Sequence, residues 1–484
     1  MATNPKDLPL IAFDSNYRMV IDGVAIGADE SLPAYNPATR QVIAQVPSAS
    51  KEQLDSAVAA ARAAFKTWSR TSWAQRQAVV AAMGERLEEY SEDFIRLLIR
   101  EQGKPRVGAQ WEVGGSVAWF NEFATMVLAD EVIEDSAERE VIRRHTPLGV
   151  VGGIVPWNFP ILLMVWKIAP ALLTGNCIII KPSPFTPLCD LKLVELLRDL
   201  VPPGVLSILS GDDELGKWIT AHPDIAKIAF TGSTDTGRHV MRSASENLKR
   251  ITLELGGNDP AIVLPDVDPQ TVAPQLFWAA FQNSSQFCSA TKRLYVHEDA
   301  YDEVRDALVE YAKTVKVGDG ADPQTGLGPM QNEQNYDKVC GYFKASQEQG
   351  HRFALGGEID EQAPGWFVPV TLVDNPPEDS ALVTDEPFGP ILPLLKWRDE
   401  ADVIERANNT PYGLSASVWG KDADAVRRIA GQLDAGTVWC NEVHQFSPHA
   451  PFAGHKQSGF GAENSLDGLA EYTSHQVLTF AKGG

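Results

Sequence analysis

Apolar and polar positions divide this chain into stretches of different period. Between Lys51 and Arg100, Leu54, Ala57, Val58, Ala61 and Phe65 recur at three- and four-residue spacing. That spacing lays an apolar stripe along a helix, and the abundant alanine favours it. "EQGKP" (Glu101 to Pro105) then breaks the pattern. From Pro147 the period changes. Short apolar runs, "GVVGGIV" (149–155), "NCIIIK" (176–181), "GVLSIL" (204–209), "IAKIAF" (225–230) and "ITLEL" (251–255), alternate with the helix-length stretches 162–173, 189–200 and 234–247. Such alternation predicts βαβ units and a parallel sheet covered on both faces. A second alternation follows Gly256: "RLYVH" (293–297), a helix near 300–315, "ALVTDEPFGPILPLLKW" (381–397), a helix near 401–408 and "SASVWG" (415–420). It predicts a second α/β domain. "DSAEREVIR" (135–143) is polar and reads as an excursion from the first domain. No internal repeat or low-complexity tract interrupts this order.

Parallel sheets bind ligands at the C-terminal ends of their strands, and several strand ends here are polar. "FTGSTDTG" (230–237) is a strand, a small-residue turn and a helix start. Gly232 permits close backbone approach, and Ser233 with the helix N-terminus offers donors to a phosphate. A plain capped helix start reads equally well, and no GxGxxG fingerprint occurs. Lys181 ends one strand, where it reaches a ribose or phosphate or is simply solvated. Glu254 alternates with Leu253 and Leu255 and precedes two glycines, which suits a general base or a surface ion pair. Asn158 in "PWNFP" suits an oxyanion donor or an ordinary turn. Cys288 in "FQNSSQFCSATKR" is the odd one, because a free thiol usually sits in apolar company.

Composition narrows the class. At 484 residues the chain makes about two or three domains. It is 44% hydrophobic and 22% charged, as folded proteins are. No apolar run is long enough to span a bilayer, and "MATNPKDLPLIAFDSNYRM" lacks the pattern of a secretion signal. The net charge of -22 repels nucleic acid and anionic membrane. Five cysteines without a CxxC pair argue against disulfides or structural zinc and fit a reducing cytoplasm. Nine histidines form no HxxxH or HExxH cluster, which disfavours a metal enzyme.

Taken together, "YNPAT" at Tyr35, "EQGKP", "PLGVVGGIVPWNFP", "KPSP", "FTGST", "LELGG", "EPFGP" at Glu386, "NNTPYGLSASVW" at Asn408 and "PFAGHKQSGFG" at Pro451 resemble the NAD(P)-dependent aldehyde dehydrogenases over nearly the whole chain. "FQNSSQFCSATKR" is similar to that family's nucleophile segment, with Gln286, Cys288 and Arg293 at the matching places. The resemblance implies a Rossmann-like cofactor domain (1–123 and 147–254), an α/β catalytic domain (255–450) and a small β oligomerisation element (124–146 and 467–484), with "YTSHQVLTF" as an exchanged strand. It implies a homodimer or homotetramer acting on a small-molecule aldehyde. Cys288 is then the nucleophile, Asn158 and the Cys288 backbone N–H hold the oxyanion, and Glu254 activates the water that hydrolyses a thioester. Lys181 meets the adenosine ribose, Gly232 and Ser233 the pyrophosphate, and Glu386 the nicotinamide ribose, with Phe388 near that ring. Trp157, Gly211 and Leu255 line the same cleft.

Some residues depart from the family pattern. Pro184 stands where NAD users often carry a ribose-gripping glutamate, so NAD is expected and NADP stays open. Ser285 replaces a glycine, Asn258 and Asp259 replace Lys-Ser or Lys-Asn, Ala453 replaces a glycine and Ala462 an arginine. The resemblance places the substrate tunnel against Phe159, Leu163 and Trp166 on one helix face, with Phe287, His444, Phe446 and Phe452. Core packing explains the helix stripe as well, and Lys167 should point off that face. An aromatic, uncharged tunnel suits aromatic or medium-chain aliphatic aldehydes. No arginine is placed for a dicarboxylic semialdehyde, and betaine aldehyde stays open because aromatic boxes bind cations. Two rivals are a coenzyme A-acylating enzyme, which would lack Glu254, and a catalytically silent member with a structural or binding role, which would lack Cys288, Asn158 or Glu254.

Overall fold

The computed structural model describes residues 11–482. The outermost parts of the ranges above, 1–10 and 483–484, lie outside the described residues. The apolar runs of the first region form the parallel part of one sheet, in the order Leu206–Ile208, Cys177–Lys181, Val150–Ile154, Lys227–Thr231, Arg250–Glu254. The chain starts at the central strand, builds outward to one side, then returns and builds to the other. This reversal opens a crevice between the C-terminal ends of Val150–Ile154 and Lys227–Thr231, the place where open α/β sheets take ligands. The paired glycines of "GVVGGIV" have a packing reason. A Cβ at Gly152 would lie 2.8 Å from Ile219 Cγ2, and one at Gly153 2.8 Å from Ile180 Cδ1.

A second sheet runs Arg352–Leu355, Thr371–Asp374, Ile391–Trp397, Thr291–His297, Asp259–Val263, Ser415–Trp419, Thr437–Cys440. All its pairings are parallel except that of Arg352–Leu355 with Thr371–Asp374. The polar excursion is a three-stranded antiparallel sheet of Glu131–Asp135, Arg139–Pro147 and Thr473–Ala481. The C-terminal strand, expected to be exchanged, pairs with the chain's own Arg139–Pro147 from Thr473↔Pro147 to Ala481↔Arg139. Val132, Ile133, Val477 and Phe480 on these strands are exposed.

The helical pattern from Lys51 resolves into the helices Lys51–Trp68, Trp73–Glu89 and Ser91–Gln102. Ser50 with Gln53 and Ser72 with Gln75 form capping boxes that start the first two. "EQGKP" ends the third, because Gly103 adopts φ 88° and closes the last turn onto Ile99 O. Its neighbours serve the site. Both Glu101 carboxylate oxygens accept backbone N–H groups, from Leu188 and Cys189, at the start of helix Pro187–Leu197. A Cβ at Gly103 would lie 2.6 Å from Pro37 Cγ and 2.9 Å from Pro329 Cγ. Gly103→Ala is therefore expected to cost about 2 kcal/mol or more of stability, read as a lower denaturant midpoint at unchanged slope.

Candidate active site

The site lies between the two large sheets. Glu254 ends a strand of the first, and Cys288 precedes strand Thr291–His297 of the second. Helix Pro269–Phe281 delivers the chain to the Cys288 turn. There Asn283, Ser284 and Ser285 take φ 53°, 56° and 61° in succession, a left-handed run that disfavours side chains. This explains why glycine is the expected residue at 285. Hydrogen bonds hold the run: Ser284 Oγ donates to Gly328 O (2.7 Å), Gln286 N to Asn283 O (3.1 Å), and Gln331 N to Gln286 Oε1 (2.8 Å). Gln286 is thus a buried strut two residues before the thiol. Lys292, one residue into the next strand, donates back to Phe287 O, Cys288 O and Ala290 O.

Asn158 is buried beside this turn, and its Nδ2 donates to Gln286 O at 3.0 Å. Its own carbonyl accepts from Asn283 Nδ2 (3.1 Å) and from Lys104 Nζ (2.9 Å). Lys104 is buried in an ion pair with Glu112, whose other oxygen accepts the N–H of Ile161 at 2.9 Å. Sequence reading missed Lys104 and Glu112, although "EQGKP" held the lysine. Glu254 is buried with neither carboxylate oxygen hydrogen-bonded. Burial pushes its pKa well up, Glu463 adds to the rise, and Lys167 opposes it. Burial likewise pushes the Cys288 thiol up to about 12, against a pull downward from Lys292. Lys167 points away from the aromatic face, donating to Thr231 Oγ1 and Glu463 Oε1, both at 2.8 Å.

A cavity open to solvent joins Cys288 and Glu254. Phe159, Leu163, Trp166, Phe287, Phe446 and Phe452 line it, joined by Leu255, expected instead in the cofactor cleft, and by Leu162, Thr231 and Trp111. Trp111 lies edge-on to Phe159 and Phe287 and is 37% exposed. In the sequence, Trp111 stands off the stripe of Ala109, Val113 and Phe120 on helix Arg106–Phe123, and that was the signal available. His444 does not line the cavity. It stacks on Phe287 (4.4 Å), with Nδ1 2.9 Å from Gln282 Oε1 and Nε2 3.2 Å from Ser289 O. Those polar partners draw the ring behind Phe287, and burial lowers its pKa to about 4, so it stays neutral.

The remaining predicted residues lie near strand ends of the first sheet and, for Glu386 and Phe388, on the loop before strand Ile391–Trp397 of the second. Trp157 meets Phe388 edge-on at 5.4 Å, and Phe388 takes φ 57°, its carbonyl held by Asn335 Nδ2 at 3.0 Å. Lys181 is buried at the end of its strand, and burial lowers its pKa to about 8. Gly211 follows strand Leu206–Ile208 and leaves room for Leu215. Gly232 N donates to Glu254 O (3.0 Å), tying the two strand ends together, and Ser233 caps helix Thr234–Ser245. Glu386 faces inward, its Oε1 accepting from Gly257 N at 3.1 Å and lying 3.6 Å from Lys292 Nζ.

Residues 25–478 match the model of the aldehyde dehydrogenase family. A probable aldehyde dehydrogenase of a Pseudomonas species is 40% identical, over 98% of this chain and 97% of its own. A phenylacetaldehyde dehydrogenase of Pseudomonas fluorescens is 36% identical over 96% of each chain. The solved NAD+ complex of an aldehyde dehydrogenase from Bacillus cereus superposes with a TM-score of 0.94 at 36% identity, covering 97% of both chains.

Removing one partner of a buried ion pair strands the other charge. Lys104→Met is expected to lose about 3 kcal/mol of stability in a denaturant titration. Because Asn158 O also loses its ammonium donor, aldehyde turnover measured well below the melting point should fall as well.

Proposed function

The chain belongs to the aldehyde dehydrogenase family, and on that premise we propose that it oxidises a neutral aromatic or medium-chain aliphatic aldehyde to the carboxylic acid with NAD as acceptor, through a thioester on Cys288. The observation that carries this reading is an apolar cavity faced by both Cys288 and Glu254. Cys288, once its thiol has given up its proton to water, attacks the carbonyl carbon as the thiolate, and the C=O electron pair moves to oxygen to leave a thiohemiacetal oxyanion. Asn158 Nδ2, already fixed beside the turn, and the Cys288 backbone N–H take the oxyanion. Bound NAD supplies the hydride acceptor that converts this adduct to the thioester. Glu254 then takes a proton from water as the water oxygen attacks the thioester carbon. The thiolate leaves, and the acid departs. A carboxylate in the cavity favours this hydrolysis over transfer to coenzyme A.

The residues near these strand ends suit a dinucleotide. Lys181 Nζ has a long contact to Pro182 O (3.3 Å) and otherwise keeps its donors for ribose hydroxyls. The N-terminus of helix Thr234–Ser245, capped by Ser233, suits a phosphate. Trp157, Phe388 and Glu386 suit the nicotinamide end. Pro184 neither grips a ribose diol nor repels a 2′-phosphate. Asp212 and Asp213, whose charges act on Lys181, disfavour that phosphate and so favour NAD over NADP. Val132, Ile133, Val477 and Phe480, exposed on the small sheet, support a homodimer or homotetramer. No helix among the described residues is long and apolar enough to cross a membrane.

A panel of phenylacetaldehyde, benzaldehyde, hexanal, betaine aldehyde and succinic semialdehyde, with NAD and NADP in parallel, tests this reading. Neutral aldehydes with NAD should turn over best, and Cys288→Ala should form no NADH. Preference for a charged aldehyde would reject the substrate class. Trp111→Ala should raise KM for aryl aldehydes several-fold, on the order of 1–2 kcal/mol of lost contact, with little change in kcat.

Glu254 works as a base only when ionised, and its pKa lies above the usual carboxylate range. Turnover should therefore rise with pH through that shifted value. Glu254→Gln should abolish the rise and lower kcat by roughly a hundredfold. Stopped-flow should show one burst of NADH per active site, followed by a stalled acyl-enzyme.

A further inference from the structure

We propose that Lys292 is a positioning residue for Cys288, clamping the nucleophile turn and favouring the thiolate with its buried positive charge. This rests on the reading of Cys288 as the nucleophile. The ammonium has three hydrogens, and one turn takes all of them: Phe287 O at 2.9 Å, Cys288 O at 2.7 Å and Ala290 O at 3.1 Å. The charge cannot swing away without unpairing three carbonyls. It is 2% exposed, so water screens it little. Its neighbour Arg293 points to the other side, donating to Asn258 O, Arg406 O and Ala407 O, and anchors the strand rather than the turn.

The surrounding charges give the proposal a sign. Asp259, Glu386 and Glu254 act on the thiol to keep its proton, and Lys292 opposes them. Facing Lys292 are Glu386, at 3.6 Å, and Asp259, together with the cation Lys338 and the neutral ring of His444. Asp259 begins the adjacent strand, in register with Thr291, and hydrogen-bonds Ser415 Oγ. Burial pushes its own carboxyl up to about 7. The family pattern expects a lysine at 258. This chain has Asn258 there, turned to Val383 O at 2.8 Å, and carries an ammonium on the neighbouring strand instead.

Iodoacetamide alkylation of Cys288, resolved by mass spectrometry across pH on the full-length protein, reads the thiolate directly. The sulfur displaces iodide only when deprotonated. Lys292→Met should move the alkylation midpoint up by about one pH unit and slow the reaction about tenfold below it. Lys292→Arg should stay near wild type. Asp259→Asn, which keeps the shape and removes an opposing charge, should move the midpoint down and speed alkylation several-fold. A Lys292→Met protein with wild-type melting and an unmoved midpoint would overturn the proposal. So would a midpoint that moves upward, or not at all, in Asp259→Asn, and that variant decides the matter if Lys292→Met does not fold. Aldehyde turnover surviving in Cys288→Ala would instead reject the nucleophile reading and leave the alkylation profile to judge Lys292 alone.

Discussion

The site depends on a backbone shape the chain would not hold by itself. Asn283, Ser284 and Ser285 are all left-handed, at a cost on the order of 1 kcal/mol each. The turn survives because neighbours from distant segments over-determine it. Gly328 and Gln331 come from the loop after strand Thr325–Leu327, Asn158 from the end of the first sheet's central strand, and Lys292 from the strand that follows. Cys288 is placed by the closing together of two α/β layers.

Dryness is the second consequence of that closure. The same apolar walls that suit a neutral aldehyde raise the proton affinity of both Cys288 and Glu254. At rest the Cys288 thiol therefore keeps its proton, and burial draws Glu254 in the same direction. Chemistry needs compensating charge and an admitted water. The cations near the cavity sit where they can help without lining it. Lys292 lies beneath the turn, and Lys167 holds Glu463 and Thr231. An ammonium in the cavity itself would oppose the neutral substrate proposed and tether Glu254, the proposed base.

The sequence revealed the first sheet well because its strands are buried on both faces and read as continuous apolar runs. The outlying antiparallel strands Met19–Ile21, Val24–Ile26 and Gly459–Phe460 escaped notice, being too short to show a period. Asp259–Val263 escaped because Pro260 sits inside it. Helices Pro269–Phe281 and Glu333–Glu348 went unread as well. In the site, Glu254 and Asn158 drew notice as polar residues after apolar strands and Cys288 as a thiol in polar company, and only the family resemblance assigned them roles. Lys104, Glu112 and Lys292 act from below through backbone carbonyls and N–H groups, and nothing local marks a lysine as a carbonyl clamp. His444 was misplaced because its polar partners, Gln282 Oε1 and Ser289 O, come from other segments.

"EQGKP" shows how closely fold and chemistry are joined here. Glu101 satisfies the orphan donors at the start of helix Pro187–Leu197, Gly103 turns the chain in a space no side chain fits, and Lys104 reaches Asn158 O. Each is a structural act, and together they fix where the Asn158 amide points. An oxyanion donor gains its value from being held still before charge develops. The rigidity of Asn158 comes from a helix terminus more than fifty positions earlier in the chain, roughly the separation of the Lys104 and Asn158 pair. A substitution in that motif should therefore act on catalysis through geometry, even though none of its residues lines the cavity.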